Sequence, residues 1–406
     1  MSPEEKARLD IDKKLIESGW VLQDMNEFNP RAALDVAVRE FPTKNGDEVD
    51  YALFIDDEPC GIIEAKADLN AVNLPHVMDT QVQRYLNDGL KGSGDCYDPK
   101  YLRFAYAASS SVIDFEDVYD PAPLTRKIYQ FFRPEYLKKL ITEYKRGDKK
   151  GTTLRSRMKT FPELPKHNFR DCQISAINGL ENSFSQGKQR ALLQMATGAG
   201  KTYTAITAIY RLLKEAKAKR VLFLVDTYNL GTQAMNEFND YRPYDSDQKF
   251  NQIYETVRIE TSNIPQTTRV CISTIQRIYS MLCGDIKSFK QGSDDVSLVN
   301  DKEKREPKYN KEYPPEFFDI IFVDECHRSI YNNWKGVLDY FDAFQVGLTA
   351  TPDERTYGYF DGNIVSEYSH EQACADGVNV PCKGTYIIEA QDIAGNISTE
   401  ERTFTK

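Results

Sequence analysis

Three residues near the start of the chain, Asp50, Glu64 and Lys66, have the types and spacing of a site that hydrolyses phosphodiesters with a metal ion. A turn centred on Asp57 separates two short β-type segments, and folding these antiparallel places Asp50 opposite Glu64. Strand alternation places Lys66 on the same face as Glu64. Two carboxylates whose Cβ atoms lie about 5 Å apart can share one divalent cation, and an ammonium group can position the nucleophile or stabilise developing charge. A salt-bridged surface hairpin is the structural alternative.

Two further features extend this prediction. Gln81 and Tyr85 are spaced i and i+4, so a helix would present both side chains on one face. An additional carboxylate is expected to join the metal, and the sequence does not choose among Glu5, Glu17 and Glu40.

A second constellation predicts a nucleotide site. It is a glycine-rich turn that follows an apolar strand and opens a helix, and its residues are Thr197, Gly198, Ala199, Gly200, Lys201 and Thr202. Backbone N–H groups and the helix N-terminus can bind phosphates there. Lys201 is expected to reach the β- and γ-phosphates, and the Thr202 hydroxyl is expected to hold Mg²⁺. Met195 stands where the usual phosphate loop has its first glycine.

Acidic residues further along the chain complete the predicted nucleotide site. Asp324 and Glu325 end an apolar strand, at the edge where open α/β sheets bind ligands. We expect Asp324 to coordinate Mg²⁺ through water and Glu325 to polarise the attacking water. His327 is expected to sense the nucleotide and to relay its state to Thr349, Ala350 and Thr351. Helix-capping acids and a packed histidine are the structural alternatives.

The secondary structure that must position these residues differs between the two parts of the chain. The first 150 residues combine helical and β-type segments. From 166 onward, short apolar strands alternate with helices, which predicts an α/β fold with a parallel sheet covered on both faces. The expected strands are 190–194, 221–225, 270–273, 320–323 and 346–349.

Composition limits the function classes. The chain has 406 residues, 40% hydrophobic and 28% charged, which indicates a soluble protein of at least two domains. It lacks a long apolar span and a signal-peptide pattern, and its eight cysteines contain no C-x-x-C pair, so a cytoplasmic protein with reduced thiols is expected.

Charge is less decisive than composition. The net charge of −10 does not exclude DNA binding, because a local basic face can supply phosphate contacts. Nine Lys or Arg residues against two acids lie between Lys138 and Lys159. We interpret this run as a solvated basic helix and connector in preference to a DNA-binding surface.

The order of these motifs resembles superfamily 2 helicases and translocases. The phosphate loop, the Asp-Glu-Cys-His run at 324–327 and the Gly-Leu-Thr-Ala-Thr-Pro run at 347–352 resemble motifs I, II and III. The run at 169–173 resembles the adenine-recognition motif, which implies that Phe169 and Gln173 contact ATP and that Gln173 reads the base edge.

The first constellation resembles the PD-(D/E)xK nucleases. The spacing of Asp50, Glu64 and Lys66, followed by Gln81 and Tyr85, is similar to that of RecB-type and type I restriction nucleases. Together the two halves resemble the motor and cleavage subunit of type I restriction enzymes. This resemblance implies a mixed-sheet nuclease domain flanked by helices (1–150), a linker (151–165), a RecA-like motor lobe (166–376) and a crossover (377–406).

The same resemblance implies the chemistry and the partners. The subunit would translocate double-stranded DNA with ATP and cut it with Mg²⁺ at non-specific sites away from the recognition sequence, together with methyltransferase and specificity subunits. A helicase–nuclease of DNA repair or phage defence without a methyltransferase partner is the alternative. The residues after Pro352 are too few for a second motor lobe, so we expect a fragment with weak ATP binding and little ATPase activity.

Overall fold

The computed structural model contains two large sheets and one hairpin. It describes residues 2–29, 33, 35–68, 74–92, 102–146, 153–166, 168–260, 263–284, 306–329, 333–379, 383–391 and 397–405. Residues 2–146 form the mixed-sheet region and residues 153–379 form the parallel-sheet region. No helix in these described ranges is both long enough and apolar enough to span a bilayer.

The mixed-sheet region has seven strands in chain order. They are β1 (Val21–Asp24), β2 (Asp35–Pro42), β3 (Glu48–Ile55), β4 (Glu58–Ala65), β5 (Phe104–Ala108), β6 (Ile113–Asp117) and β7 (Arg126–Ile128). The pairs β1–β2 and β4–β5 are parallel and the others are antiparallel. This is the mixed sheet that the sequence predicts.

Helices cover both faces of this sheet. They are α1 (Pro3–Glu17), α2 (Leu74–Val77), a π-helical segment (Met78–Val82), α3 (Gln83–Asp88) and α4 (Pro134–Arg146), and a 3₁₀ turn spans Met25–Glu27. Ser2 and Glu5 form a capping box that starts α1. Ile11 and Leu15 pack on one face of the sheet, whereas Met78 packs on the other.

The turn between β3 and β4 sets the pairing of the two strands. Asp56 and Asp57 have φ of 49° and 67°, and positive φ at both central residues is the requirement of a type I′ hairpin turn. Ile55 pairs with Glu58, and a bulge between Leu53 and Phe54 then shifts the register by one residue. Beyond this bulge the pairing is the one predicted from the sequence.

The parallel-sheet region also has seven strands, in the order β10-β11-β9-β12-β13-β8-β14. They are β8 (Arg190–Met195), β9 (Val221–Val225), β10 (Thr256–Arg258), β11 (Val270–Thr274), β12 (Ile320–Asp324), β13 (Phe344–Thr349) and β14 (Ile364–Tyr368). Every pairing is parallel. The five strands predicted from the sequence are confirmed; the short edge strands β10 and β14 were not predicted.

Ten helices and a 3₁₀ turn at Pro315–Phe317 surround this sheet in the described residues. The helices are α5 (Leu154–Arg157), α6 (Asp171–Ser185), α7 (Lys201–Lys214), α8 (Tyr228–Asp240), α9 (Phe250–Ile253), α10 (Ile275–Cys283), α11 (Cys326–Ser329), α12 (Asn333–Tyr340), α13 (Glu354–Tyr359) and α14 (His370–Ala375). Two apolar clusters fill the space between the helices and the two sheet faces. The strands are therefore buried on both sides, as continuous apolar runs predict.

The mixed-sheet region contacts the amino-terminal edge of the parallel sheet. Arg126 in β7 makes a bidentate ion pair with Asp342, with both bonds at 2.8 Å. Arg133 pairs with Glu316 at 2.7 Å. Asp342 and Glu316 precede β13 and β12, so these contacts hold the edge opposite to the carboxyl ends of the strands.

Two other segments complete the description. The strands β15 (Lys383–Gln391) and β16 (Ile397–Thr405) form an antiparallel hairpin in the range predicted as a crossover.

The basic run between Lys138 and Lys159 is only partly solvated in the described residues. Arg155 stacks on Phe344 with its guanidinium 4.6 Å from the ring centroid, and Arg157 donates to the Ala216 carbonyl at 2.6 Å. These two arginines join the connector to the parallel-sheet region, so the expectation of a wholly solvated run is wrong for them.

Candidate active sites

The structure places Asp50 and Glu64 side by side. Tyr51 pairs with Ile63 across β3 and β4, so Asp50 and Glu64 form the next position of the same register. One Asp50 oxygen accepts the Ala65 backbone N–H at 2.7 Å. Burial first, and then the neighbouring Asp50 carboxylate, raise the pKa of Glu64 to about 7.

Lys66 and Gln81 both donate to the same oxygen of Glu64. Lys66 Nζ lies 2.5 Å from Glu64 Oε1, and Gln81 Nε2 lies 2.6 Å from it. Gln81 Nε2 also lies 3.0 Å from the Tyr85 hydroxyl, which brings the predicted pair together on one helix face. Gln81 stands in the π-helical segment, and such segments recur at functional sites.

Of the three candidate acids, Glu40 is linked to Asp50 through Arg8. Its carboxylate accepts from Arg8 Nη1 at 3.0 Å, and the other Arg8 amino group binds Asp50. Glu5 caps α1, whereas Glu17 accepts from Gln130 at 3.3 Å. Arg8 was missed from the sequence because nothing in its spacing along α1 distinguishes it from an ordinary surface arginine.

A divalent cation fits the chemistry of this group. The Asp50 and Glu64 carboxylates repel each other, and Arg8 already supplies positive charge to Asp50. Carboxylate oxygens are the ligands that Mg²⁺ prefers, and this ion commonly keeps several of its waters. In the described ranges, no three His, Cys, Asp or Glu side chains are grouped closely enough to enclose a metal. The protein would therefore supply two carboxylates to the ion.

The phosphate loop lies between β8 and α7, as predicted. Gly198 and Gly200 have φ of 82° and 86°, a conformation that suits glycine. A Cβ at Gly200 would lie 2.5 Å from Gln173 Nε2. The Thr197 carbonyl accepts from Asn379 at 2.8 Å, a contact that the sequence gave no reason to expect. The loop thus has the glycine-dependent shape that a phosphate cradle needs.

Lys201 and the two acids converge at the carboxyl ends of the strands. Lys201 Nζ lies 3.1 Å from Glu325 Oε1. Burial first, and then Glu325, raise the pKa of Asp324 to about 6. Thr202 follows Lys201 in the first turn of α7. These positions fit a magnesium-bound nucleotide phosphate, because a cation near Asp324 would offset the repulsion between the two acids.

His327 connects the acids to the neighbouring strand. Its Nδ1 lies 2.9 Å from Thr349 Oγ1 and 3.5 Å from Glu325 Oε2. The Thr351 N–H donates to the same threonine hydroxyl at 3.1 Å, across Ala350. Polar contacts therefore connect Glu325, through His327 and Thr349, to the segment after β13.

The adenine-recognition residues adopt a different arrangement from the expected one. Gln173 is buried; its amide donates to the Ala199 carbonyl at 3.1 Å and accepts from the Arg170 N–H at 3.1 Å. Both of its polar atoms therefore hold the phosphate loop, so reading a base edge would require a rearrangement. The Phe169 ring lies 6.0 Å from that of Tyr203, centroid to centroid.

Comparison with known proteins finds similarity in both parts of the chain. Residues 166–354 match a family model described as the res subunit of type III restriction enzymes. Residues 21–99 match the second domain of the EcoKI endonuclease subunit, a type I enzyme. The EcoKI endonuclease subunit of Escherichia coli K12 is 26% identical over 443 aligned residues, which cover 92% of this chain. The chain is homologous to type I restriction endonuclease subunits.

Other type I restriction subunits show the same relationship. The EcoAI endonuclease subunit of Escherichia coli is 34% identical over 57% of this chain. The chain spans 34% of the length of the EcoKI subunit and 25% of the EcoAI subunit. A solved fragment of a type I HsdR subunit from Vibrio vulnificus is 24% identical, covers 93% of this chain and 61% of its own, and has a TM-score of 0.36.

Proposed function

We propose that this chain carries the nuclease and the first motor lobe of a type I restriction subunit, which moves duplex DNA with ATP and cuts it with Mg²⁺. One observation carries the proposal. The adjacent Asp50 and Glu64 carboxylates, with Lys66 on Glu64, lie in the same chain as a phosphate loop whose lysine meets Glu325. Cleavage would occur at non-specific positions away from the recognition sequence.

Each residue of the proposed nuclease site has a separate role. Asp50 and Glu64 would hold the magnesium ion, which when bound polarises the phosphate and lowers the pKa of bound water. The Ala65 N–H fixes the Asp50 carboxylate, and Gln81 fixes the Glu64 carboxylate. Lys66 would position the nucleophile or stabilise the charge that develops on the phosphate. Tyr85 orients Gln81 through its hydroxyl.

The residues of the proposed nucleotide site have separate roles in binding and hydrolysing ATP. Lys201 and the loop N–H groups would hold the ATP phosphates, while Thr202 and Asp324 would hold their magnesium ion. Glu325 would orient the attacking water, and His327 would transmit the change to Thr349. The resemblance implies that turnover also needs a second lobe.

The partners follow from the same family. Duplex DNA is the proposed substrate, and methyltransferase and specificity subunits are the proposed partners in a cytoplasmic complex. The matched relatives described above are type I subunits, which favours this proposal over a helicase–nuclease without a methyltransferase partner.

The experiment is a comparison of variants in the assembled enzyme. Asp50→Ala, Glu64→Ala or Lys66→Ala should each abolish DNA cleavage and leave DNA-stimulated ATP hydrolysis intact. Lys201→Ala should stop hydrolysis, translocation and cleavage together. Plasmid cleavage and phosphate release, measured on the same samples, separate the two activities.

A matched control is available on the same strand. Glu48 is an exposed acid in β3, two residues before Asp50. Glu48→Ala should cut DNA as the wild type does. Cleavage by all three nuclease variants would refute the nuclease assignment, and normal restriction by the Lys201 variant would refute the motor assignment.

A further inference from the structure

A cleft of about 1100 Å³ separates the mixed-sheet region from the parallel-sheet region. Seven lysine or arginine residues and four acids line it. The whole chain has the opposite balance, with 52 basic and 62 acidic residues. The cleft therefore concentrates positive charge on a protein that is acidic overall. Its basic residues are Lys13, Lys14, Lys127, Arg190, Lys308, Lys311 and Lys335.

Four of these lysines have no carboxylate within ion-pair distance among the described residues. Lys14 and Lys127 stand on the mixed-sheet wall, whereas Lys308 and Lys311 stand on the opposite wall. Lys127, Lys308 and Lys311 are exposed. These three ammonium groups are thus available to an anion that enters from solvent.

This charge is not what holds the two regions together. Like charges on facing surfaces oppose association. The regions are joined by opposite charges, notably the bidentate Arg126–Asp342 pair, which is 10% and 6% exposed. Lysines on both walls therefore carry an electrostatic cost in the free protein, and a polyanion between the walls would remove that cost.

The cleft shares a loop with the candidate nuclease site. The Lys66 N–H donates to the Ala108 carbonyl at 2.8 Å, where β5 ends. Ser110 and Ser111 follow Ala108 and line the cleft. Lys14 Nζ donates to the Ser110 carbonyl at 2.8 Å. One loop thus forms the end of the cleft and supports the backbone of Lys66.

We infer that this cleft binds the phosphate backbone of duplex DNA beside the loop that supports Lys66. The inference rests on the proposed function, because it assigns a binding surface to the proposed substrate. Lysine ammonium groups contact phosphates without reading bases. Binding in the cleft is therefore independent of sequence, as cleavage at non-specific positions requires.

The test uses one lysine from each wall. The double variant Lys127→Gln/Lys311→Gln is compared with the wild-type chain in binding to a short fluorescent duplex, with EDTA present to prevent cutting. Anisotropy is measured over a series of salt concentrations. The variant should bind roughly tenfold or more weakly, and the slope of log K against log salt should fall by about two, because two phosphate contacts are lost.

Lys159→Gln/Lys166→Gln is the matched control. Both of these lysines are exposed, and neither lines the cleft. This control should retain the wild-type affinity and slope. Circular dichroism should show the same melting temperature for all three proteins, so that a loss of binding reports on charge. Equal affinity and equal slope in the cleft variant would overturn the inference.

Asp50→Asn separates this inference from the proposed function. If Asp50→Asn stops cutting but the cleft variant binds as the wild type does, the cleft inference fails and the nuclease proposal stands. If the cleft variant binds weakly but Asp50→Asn still cuts, the nuclease proposal fails and the cleft stands. A wild-type chain that does not bind the duplex at low salt would refute both.

Discussion

At the residue scale, Glu64 combines burial with a nearby like charge. Its side chain is only 6% exposed, and Asp50 and burial together raise its pKa to about 7. A raised pKa means that the folded protein binds this proton more tightly than the unfolded chain does. Glu64 therefore stabilises the fold at low pH, and this contribution is lost as the pH rises from about 4.5 to about 7.

Glu64→Gln should therefore stabilise the metal-free protein at high pH. At pH 8 the substitution removes a buried negative charge, whereas at pH 5 it replaces a side chain that is already neutral. The gain in the free energy of unfolding should be larger at pH 8 than at pH 5, by about 2–3 kcal/mol. Denaturant unfolding at the two pH values measures it. An equal effect at both values would contradict the raised pKa.

Some of these residues could be placed in the site from the sequence, and others could not. Asp50 and Glu64 could be paired from the turn between them, because strand register converts spacing into proximity. Arg8 could not be placed beside Asp50, since nothing local relates a residue of α1 to the middle of β3. For the same reason, Glu40 could not be chosen over Glu5 and Glu17 from the sequence.

At the element scale, the hairpin turn fixes the site. Asp56 and Asp57 adopt the left-handed conformation, and a change of turn would shift the β3–β4 register. A shift by one residue would turn Glu64 to the other face of the sheet. The turn therefore controls whether the two carboxylates meet.

Asp57→Ala and Asp57→Gly should differ in stability. Both substitutions remove the side chain and its contacts, but only glycine adopts a φ of 67° without strain. The glycine variant should be more stable than the alanine variant by about 1 kcal/mol. Thermal unfolding measures the difference. If alanine were equally stable, the turn would not require the left-handed conformation.

The inner strands of the parallel sheet could be predicted from the sequence, whereas the two edge strands could not, and the difference has a physical reason. The five inner strands are continuous apolar runs, and such runs are apparent in a sequence. The residues of the edge strand β10 are all half-buried, and β14 alternates buried with exposed positions. Both edges therefore resemble loop segments until their neighbours are known.

At the scale of the whole molecule, buried ion pairs join the two regions. Although burial opposes it, Arg126 holds the pKa of Asp342 below its ordinary range. Asp342 lies just before β13, and Glu316 lies before β12, so the mixed-sheet region contacts the starts of the two strands that end at Asp324 and Thr349. Neither the pairs nor the cleft beside them could be predicted from the sequence, because each combines residues from distant parts of the chain.

Arg126→Ala should strongly destabilise the protein. It leaves Asp342 buried without its bidentate partner, a loss that typically costs about 3–5 kcal/mol. Lys138→Ala is the control, since it breaks an exposed pair with Asp56 whose loss should cost much less. Equilibrium unfolding of both variants measures these costs. Similar values for the two variants would show that the interface pair contributes little.

The most direct test of the central claim is the position of a divalent cation in crystals of this chain grown with Mn²⁺. The account predicts an anomalous peak within about 2.5 Å of one oxygen from Asp50 and one from Glu64, with Lys66 beside them. A peak at another place, or empty density between the two carboxylates at saturating Mn²⁺, would contradict it.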